Sequence, residues 1–432
     1  MLLLTLLLSI FSFQPFQTEI IDGYTNKMSA FPGDSIELYL NANLSGKHDV
    51  QLYDLSERIV FSRTARVFPQ SVTHQKTYET GFGYKRTCKI AVPDVPSGVY
   101  LWENKIPFIV KTRNPKITIV YASNTVNAYC SSGGKSLYAF NSTENTAAQK
   151  VSFLRPLSLP KHSEAFLRWV VKENIKDVGY VVDLDMEDYN NIRKSRLIII
   201  TGHSEYWTLQ ARLNFDRFVN EGKNALILSG NTMWWQVRYN KSKDQLICYR
   251  DQKADPVKSE KLKTINWCEP SLGYPIQAST GTDFRNAGYG LKQDNGWDGY
   301  KIIADSPLLE GTKLKRNDVL SCRSDELDGA PLTSFTDGIP VVDYQALSFY
   351  KVEIVGYDLV QRAGKEGVAT WIVFKPGRSS GIVINTASTD WCSSRGIGSN
   401  SDIQKITLNM ITKLMNNERV FSTDDEPGRI VN

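Results

Sequence analysis

Apolar and polar positions alternate in short runs over residues 19 to about 112. This alternation is typical of strands with one buried face. Turn-forming prolines and glycines separate the runs, for example at 31–34 and 96–98. We therefore predict an immunoglobulin-like β-sandwich over residues 19–114. Its strands are expected at 35–40, 49–53, 87–92, 100–102 and 106–110.

After residue 114 the strands become apolar throughout and alternate with segments of helical periodicity. This pattern predicts a mostly parallel sheet covered by helices on both faces, in an α/β domain over residues 115–420. The stretch from about 240 to 330 has weaker periodicity and is interpreted as a large insertion, and 421–432 as a tail. Strands are expected at 116–121, 180–184, 196–201, 224–229, 348–355, 369–375 and 381–386, and helices at 163–173, 209–221 and 403–415.

The first residues are apolar from Leu2 to Phe13, and Pro15 then interrupts them. The run is too short to span a bilayer, which takes roughly 20 residues. We expect residues 1–18 to be a signal peptide and the protein to be secreted; the alternative is a buried N-terminal strand. No later stretch is long and apolar enough to cross a membrane.

The chain has six cysteines, an even number. In a secreted protein this predicts up to three disulfides. Cys248 and Cys268 flank a polar, lysine-rich loop and form the favoured pair.

Composition narrows the function classes. With 41% hydrophobic residues the chain can bury large cores, which excludes global disorder. The net charge of +5 comes from scattered residues, so no nucleic-acid-binding surface is indicated. The four histidines are too dispersed for the usual zinc spacings, so any metal ion should be held mainly by oxygen atoms.

Candidate chemistry follows four of the predicted strands. Ligands of open α/β sheets collect beyond the carboxyl ends of the strands. The segments at those ends, 124–129, 202–207, 230–235 and 387–391, mix polar and aromatic residues. They predict a lined pocket in which Trp234, Trp235 and Trp391 limit access of water. The alternative is aromatic packing between loops.

Several familiar catalytic motifs can be excluded. The segment 202–206 lacks the last glycine of a nucleophile elbow, where Tyr206 stands, and no histidine follows His203. A Ser-His-Asp hydrolase is therefore excluded. Cys130 lies on a Ser-Gly-Gly loop rather than at a strand-to-helix elbow, which argues against a cysteine nucleophile of the glutamine amidotransferase type. Gly133-Gly-Lys-Ser136 resembles the end of a P-loop, but the first glycine of that motif would fall on Tyr129.

His203 and Glu205 remain, with tyrosines nearby in the sequence. Carboxylate and phenolate oxygens suit a hard trivalent cation.

Five motifs, in order, resemble the C-terminal region of the N,N-dimethylformamidase large subunit and its relatives. The resemblance extends over nearly the whole chain after the predicted signal peptide. The motifs are Asn124-Thr-Val-Asn-Ala-Tyr129 with Gly133-Gly-Lys-Ser-Leu-Tyr138, Phe153-Leu-Arg-Pro156, Gly202-His-Ser-Glu-Tyr-Trp207, Gly230-Asn-Thr-Met-Trp-Trp-Gln236 and Thr389-Asp-Trp391.

The resemblance implies a mononuclear ferric ion held by two tyrosines and one glutamate. Glu205 matches the glutamate, and Tyr129 matches one tyrosine. Tyr100, at the start of a Pro-Ser-Gly-x-Tyr strand, matches the other. No organic cofactor is implied.

The resemblance also implies catalytic residues beside the metal ion. His203 and Asn231 match the histidine and asparagine of the family, and Glu326 is the candidate for a further acid. A ferric ion would polarise an amide carbonyl or acidify bound water. His203 or Glu326 would then pass a proton to the departing amine, while Asn231 orients substrate or water.

These observations lead to one set of predictions. The fold class is α/β, with an N-terminal β-sandwich and a flavodoxin-like or class I glutamine amidotransferase-like main domain that carries the insertion. The function is a secreted, ferric hydrolase of an amide-type C–N bond in a small molecule. An extracellular protein that binds a glycan or small polar ligand in a non-catalytic pocket is the alternative, and a degenerate site on a structural protein is a third. Homo-oligomerisation is left open.

Overall fold

The structure is a computed structural model that describes residues 18–292 and 295–423. The predicted signal peptide lies outside the described residues except for its last position, as does most of the predicted tail. Within the described ranges, no helix is both long enough and apolar enough to cross a bilayer.

Residues 20–110 form two sheets around a shared apolar core, and all their strand pairs are antiparallel except the parallel pair of β2 with β8. One sheet has the order β1-β3-β6 and the other the order β2-β8-β7-β4-β5. Alternating burial along β3 shows why its sequence forms a strand with one face on this core. The elements are β1 (Ile20–Thr25), β2 (Ser29–Ala30), β3 (Ser35–Ala42), β4 (Gly46–Asp54), β5 (Ile59–Val67), α1 (Thr77–Thr80), β6 (Cys88–Ala91), β7 (Gly98–Trp102) and β8 (Ile106–Val110).

The rest of the chain is built on a nine-stranded sheet of order β11-β9-β12-β14-β25-β24-β23-β18-β19. A four-stranded sheet of order β10-β16-β15-β13 packs beside it, and β17-β20 and β21-β22 are small two-stranded sheets. The strands are β9 (Ile117–Tyr121), β10 (Lys150–Ser152), β11 (Val178–Val182), β12 (Leu197–His203), β13 (Tyr206–Thr208), β14 (Asn224–Gly230), β15 (Trp235–Tyr239), β16 (Gln245–Ile247), β17 (Asp283–Gly288), β18 (Gly299–Ile302), β19 (Val319–Ser321), β20 (Leu327–Gly329), β21 (Leu332–Thr336), β22 (Ile339–Val342), β23 (Lys351–Arg362), β24 (Lys365–Lys375) and β25 (Val383–Asn385).

The helices of this part are short, apart from α4 and α7. Each of these two begins with a side chain that accepts hydrogen bonds from the first turn: Thr208 caps α4, and Asn400 caps α7. The helices are α2 (Ser123–Tyr129), α3 (Glu164–Lys172), α4 (Leu209–Asn220), α5 (Gln277–Thr280), α6 (Tyr344–Leu347) and α7 (Ser401–Asn416).

Strands of the parallel half of the large sheet are buried on both faces. Along β12, Leu197 and Ile199 contribute to one apolar core together with α3 and α7. Ile198 and Ile200 contribute to a second core, together with α4. Because successive side chains of a strand point to opposite faces, a continuous apolar run fits a strand covered on both sides.

The predicted fold class is wrong. About 35% of the residues lie in strands and about 20% in helices, and the sheets are large and mixed rather than a parallel sheet flanked by helices. Pairing is parallel from β11 to β25 but antiparallel between β25, β24, β23, β18 and β19. The chain is therefore not flavodoxin-like or class I glutamine amidotransferase-like.

The error has a physical cause. An apolar run reports burial on both faces, but it does not report the direction of the neighbouring strand. β23 and β24 are joined by a turn of two residues, Ala363 and Gly364, which permits only antiparallel pairing. In addition, β18 and β19 come from the stretch interpreted as an insertion, and they extend the large sheet.

The sandwich packs against this sheet. Leu55, Val99 and Ile109 share a core with residues of β9 and β11. The Lys111 ammonium donates to Asp185 Oδ1 at 2.6 Å, a salt bridge with both side chains largely buried. The boundary predicted near residue 114 stays a prediction.

Candidate active site

Three neighbouring parallel strands end at the same edge of the large sheet. β9 leads into α2, β12 ends at His203 just before Glu205, and β14 ends at Gly230 just before Asn231. Because parallel strands present their carboxyl ends together, side chains that follow them meet.

Helix α2 is held in place by polar residues of its own motif. The Asn124 amide nitrogen of the backbone donates to Asp183 Oδ2 (2.7 Å), and the Asn124 side chain donates to the Tyr206 carbonyl (3.0 Å). Thr125 Oγ1 accepts from the backbone N–H of Glu205 (3.0 Å). These bonds fix the end of the helix, Tyr129, relative to the Glu205 segment.

A glycine-rich loop then returns the chain to Tyr129. Gly133 and Gly134 have φ of 83° and 102°, a region that L-residues with side chains rarely adopt. A Cβ on Gly133 would come within 2.7 Å of the Tyr78 backbone nitrogen. The reversal brings Tyr138 over Tyr129, with ring centroids 4.2 Å apart.

A buried arginine holds this loop. Arg155, from the Phe-Leu-Arg-Pro motif, is fully buried. Its guanidinium donates to the carbonyls of Ser132 (2.7 Å), Lys135 (2.9 Å) and Asn127 (2.8 Å). Arg155 therefore ties the loop carbonyls of Ser132 and Lys135 to the Asn127 carbonyl of α2.

Two phenols converge on one carboxylate. Tyr129 donates to Glu205 Oε2 at 2.9 Å, and Tyr138 donates to Glu205 Oε1 at 2.8 Å. Glu205 is only 2% exposed. We call Tyr129, Tyr138 and Glu205 the tyrosine–glutamate cluster. Its three side chains offer only oxygen atoms as possible ligands.

Behind Tyr138 lies a second layer of support. The Tyr206 hydroxyl donates to the Tyr138 hydroxyl at 2.8 Å, and the Arg250 guanidinium in turn donates to Tyr206. Arg250 also stacks 4.0 Å from the centroid of the Tyr138 ring. The positive charge of the guanidinium favours the ionised form of these two phenols.

His203, Asn231 and Glu326 adjoin the tyrosine–glutamate cluster. His203 Nε2 lies 3.4 Å from Glu205 Oε2 and 3.4 Å from Glu326 Oε2. The Asn231 side-chain amide donates to Glu326 Oε2 at 2.9 Å. Asn231 Oδ1 is buried and has no hydrogen-bond partner within the described ranges. Such an orphaned acceptor at a cavity wall fits a ligand that donates to it.

Burial and charge set the protonation of these groups. Burial raises the pKa of Tyr129 and of Tyr138 well above the ordinary value, and the nearby Glu205 carboxylate adds to the effect. Burial also raises the pKa of Glu205, although His203 opposes it. Burial would lower the pKa of His203, but Glu326 and Glu205 outweigh it and raise the pKa to about 9. Despite burial, His203 holds the pKa of Glu326 below its usual value.

Two cavities meet at this site. The first, of about 640 Å³, lies on one side, and the second, of about 540 Å³, lies on the other; Tyr129 and Glu326 line both. The first cavity is rich in aromatic side chains, and its lining includes Tyr138, Phe140, Trp234, Trp235, Phe284 and Tyr289.

Trp391 differs from the pocket prediction. It is fully buried, and its indole N–H donates to Thr407 Oγ1 at 2.9 Å. Trp391 belongs to the core beneath the site and does not line the cavity. Trp234 and Trp235 do line it.

Five of the six predicted site residues lie together: Tyr129, Glu205, His203, Asn231 and Glu326. Tyr100, the sixth, lies apart from them. It lies on β7 in the sandwich core, and its hydroxyl donates to the Pro96 carbonyl at 2.7 Å.

Tyr138 stands where the second tyrosine was expected. The signal for it was present in the sequence, because Tyr138 ends the same Gly-Gly-x-Ser-Leu-Tyr motif that follows Tyr129. Only the chain reversal at Gly133 and Gly134 shows that both tyrosines reach the same carboxylate.

The cysteines also differ from expectation. All six are free thiols, so the predicted Cys248–Cys268 bridge is wrong. Cys248 is buried in the core of the four-stranded sheet. The Cys268 thiol donates to Asp283 Oδ2 at 3.1 Å.

A separate group, His162, Asp325 and Asp390, brings potential ligand atoms within 4.8 Å of one another. Arg395 already pairs with Asp325 at 3.0 Å and with Asp390 at 3.3 Å. The guanidinium neutralises these carboxylates, which weakens the group as a cation site.

Residues 51–401 match the family described as N,N-dimethylformamidase beta subunit-like, C-terminal. The chain belongs to this family. None of the curated proteins matches the chain. Membership in the N,N-dimethylformamidase beta subunit-like family is consistent with a hydrolase, and the matched segment includes every residue of the tyrosine–glutamate cluster.

Proposed function

We propose that this protein is a hydrolase of an amide-type C–N bond, with a mononuclear ferric ion held by Tyr129, Tyr138 and Glu205. The observation that carries the proposal is the convergence of two phenols and one carboxylate at hydrogen-bond distance in a buried place. Secretion through the N-terminal segment remains part of the proposal.

The donor set suits a hard, highly charged cation. Phenolate and carboxylate oxygens are the ligands that such ions prefer. Without a cation the three groups share protons, because burial raises the pKa of each. A trivalent ion would replace those protons and hold the phenols ionised. The unpartnered Asn231 Oδ1 lines the same cavity as the three donors and fits a ligand beside the ion.

When bound, the ion would supply Lewis-acid polarisation of the amide carbonyl and lower the pKa of water. The protein supplies proton transfer. In the metal-free protein, Glu326 and Glu205 outweigh burial and raise the pKa of His203 to about 9. Glu326 is not a proposed ligand, and it would still favour the protonated form of His203 when the ion is bound. From its position 3.4 Å from Glu326, His203 can give that proton to the departing amine and recover it from water.

Asn231 orients the substrate. Its amide nitrogen is committed to Glu326, which leaves Oδ1 free to accept a hydrogen bond. Its backbone is fixed as well, because its N–H donates to Asp328 Oδ1 at 2.9 Å. A fixed acceptor of this kind favours a substrate whose N–H points to it.

Metal analysis of purified protein tests the proposal. We expect about one iron atom per chain and a visible ferric–phenolate absorption band. Tyr129→Phe, Tyr138→Phe and Glu205→Gln should each abolish both signals. Tyr100→Phe is the matched control, because Tyr100 lies in the sandwich core, and it should keep both. If Tyr100→Phe loses iron while Tyr138→Phe keeps it, the ligand assignment is wrong.

Turnover of small amides completes the test. His203→Gln should keep the iron and lower kcat by about 100- to 10,000-fold, as expected for loss of a general acid–base group. A protein that binds ligands without hydrolysing any amide would instead support the binding-protein alternative.

A further inference from the structure

The mouth of the first cavity contains an arginine that the proposed reaction does not use. Arg362 is the last residue of β23, and the turn residues Ala363 and Gly364 follow it. All three line the same cavity as Glu205 and Glu326. The hairpin therefore reaches from the antiparallel half of the sheet to the site at the end of the parallel half.

The position of Arg362 is fixed by the backbone. The Tyr289 N–H donates to the Gln361 carbonyl at 2.8 Å, which binds the hairpin to the cavity wall. Gly288 has no side chain at the contact: a Cβ there would come within 2.5 Å of the Gln361 carbonyl and 2.8 Å of Arg362 Cβ. Arg362 is therefore held at the mouth and is not a mobile surface residue.

The Arg362 guanidinium has no carboxylate within 4.0 Å among residues 18–292 and 295–423. Its contacts are with two aromatic rings, with centroids at 5.8 Å (Trp234) and 5.7 Å (Phe284). Arg285, the residue after Phe284, is paired instead with Asp283 at 2.8 Å. A half-buried guanidinium with no carboxylate partner among those residues can form charge-assisted hydrogen bonds with an anion.

The lining of the cavity carries charges of both signs, from Glu205 and Glu326 and from Arg362. Tyr289 responds to both: burial raises its pKa, Glu326 and Glu205 raise it further, and Arg362 lowers it. The Arg362 guanidinium attracts a substrate carboxylate and so orients a molecule that carries one.

The size of the cavity points the same way. Its volume of about 640 Å³ lies in the range of sites for drug-sized ligands, roughly 300–1,000 Å³. The smallest amides would leave most of this space empty. The aromatic walls, including Trp234 and Phe284, suit an apolar or aromatic side group.

We propose that the substrate is an N-acyl amino acid or a similar amide that carries a carboxylate and an apolar group, with Arg362 binding the carboxylate. This inference rests on the proposed function, because it places the scissile amide at the tyrosine–glutamate cluster. The aromatic walls contact the apolar group of the substrate. Arg362 is thereby a specificity-determining residue.

The test compares N-acetylphenylalanine with N-acetyl-2-phenylethylamine, which lacks only the carboxylate. The wild-type protein should favour the former in kcat/KM. Arg362→Gln should lower that preference by about 10- to 100-fold, the range for loss of a hydrogen bond between charged groups. Arg362→Lys should recover part of it. Lys365→Gln is the matched control, since Lys365 pairs with Arg362 across the turn but is exposed outside the cavity, and it should keep the preference.

Hydrolysis of the two compounds, together with calorimetric measurement of their binding, separates the proposed function from the Arg362 inference. If both amides are hydrolysed with equal efficiency by the wild type and by Arg362→Gln, the proposed function stands and the Arg362 inference is overturned. If neither is hydrolysed while another small amide is, the Arg362 inference is overturned and the proposed function stands. If no amide is hydrolysed, the proposed function fails and the substrate inference fails with it. Equal binding of both compounds by the wild type would also overturn the inference.

Discussion

Side chains from the recognised motifs divide into two kinds when their contacts are compared. Tyr129, Glu205 and His203 line the cavities or the space between them. Asn124 and Arg155 instead hold backbone, the first at α2 and the second at the glycine-rich loop. Both kinds give the same signal in a sequence, because a polar side chain that satisfies buried carbonyls is as constrained as a catalytic one.

The charge on His203 gives a prediction about pH. Its pKa rises from 6.5 in the unfolded chain to about 9 in the folded protein. The stability that it contributes is therefore fully present below about pH 6.5 and is lost as the pH rises through about 9. In metal-free protein, the wild type should lose on the order of 1–3 kcal/mol more unfolding free energy than His203→Gln between about pH 6 and about pH 10.

Urea unfolding at the two pH values measures this difference. His74→Gln, a substitution of an exposed histidine, is the matched control. Equal pH dependence in the wild type and His203→Gln would show that His203 is not charged in the folded protein.

Strand ends and turns decide where the chemistry is placed. β14 ends at Gly230, where a Cβ would come within 2.6 Å of both the Glu326 carbonyl and the Thr389 backbone nitrogen. This close approach brings the Glu326 segment to the end of the strand and so positions the Glu326 carboxylate near His203. The β23–β24 hairpin does the same for Arg362 from the other side of the cavity.

Substitution at Gly230 tests this view of the strand end. Gly230→Ala should lower the free energy of unfolding by about 1–3 kcal/mol, the usual cost of overpacking, and should also lower turnover by moving Glu326. The control is Gly377→Ala, because a Cβ on Gly377 meets no atom within 4 Å. That variant should stay within about 0.5 kcal/mol of the wild type. Urea unfolding and amide turnover measure both effects, and a Gly230→Ala variant as stable and active as the wild type would contradict the argument.

At the scale of the whole molecule, the mixed sheet creates the cavity. Glu205 and Asn231 reach it from the ends of parallel strands, whereas Arg362 reaches it from an antiparallel hairpin. A wholly parallel sheet would have no such hairpin. The family assignment covers both contributions, since residues 51–401 include the parallel and the antiparallel strands.

Free thiols throughout the chain give a prediction about the intact protein. In denaturant without reductant, all six cysteines should react with a thiol reagent. Adding reductant should not change the denaturation midpoint, because no cross-link restrains the unfolded chain. A pair of thiols missing from the unreduced count would reveal a bridge, such as Cys248–Cys268, and would contradict the structure. The same titration after reduction is the control.

The sequence by itself determined the local elements and much of the site. Apolar runs located β9, β12 and β14 to within a few residues, because burial on both faces leaves a continuous apolar pattern. The rule that ligands collect beyond strand ends, together with the family motifs, brought Tyr129 and Glu205 into one hypothesis.

Only the tertiary structure decided how these elements combine. Strand direction and the free state of the cysteines depend on contacts between residues far apart in the chain. The path of a loop determines that Tyr138, and not Tyr100, contacts Glu205. Hydrophobic periodicity reports which side of an element is buried, not which neighbour buries it. Arg362 shows the same limit, because its place at the cavity mouth follows from backbone pairing with Tyr289 and the absence of a side chain at Gly288.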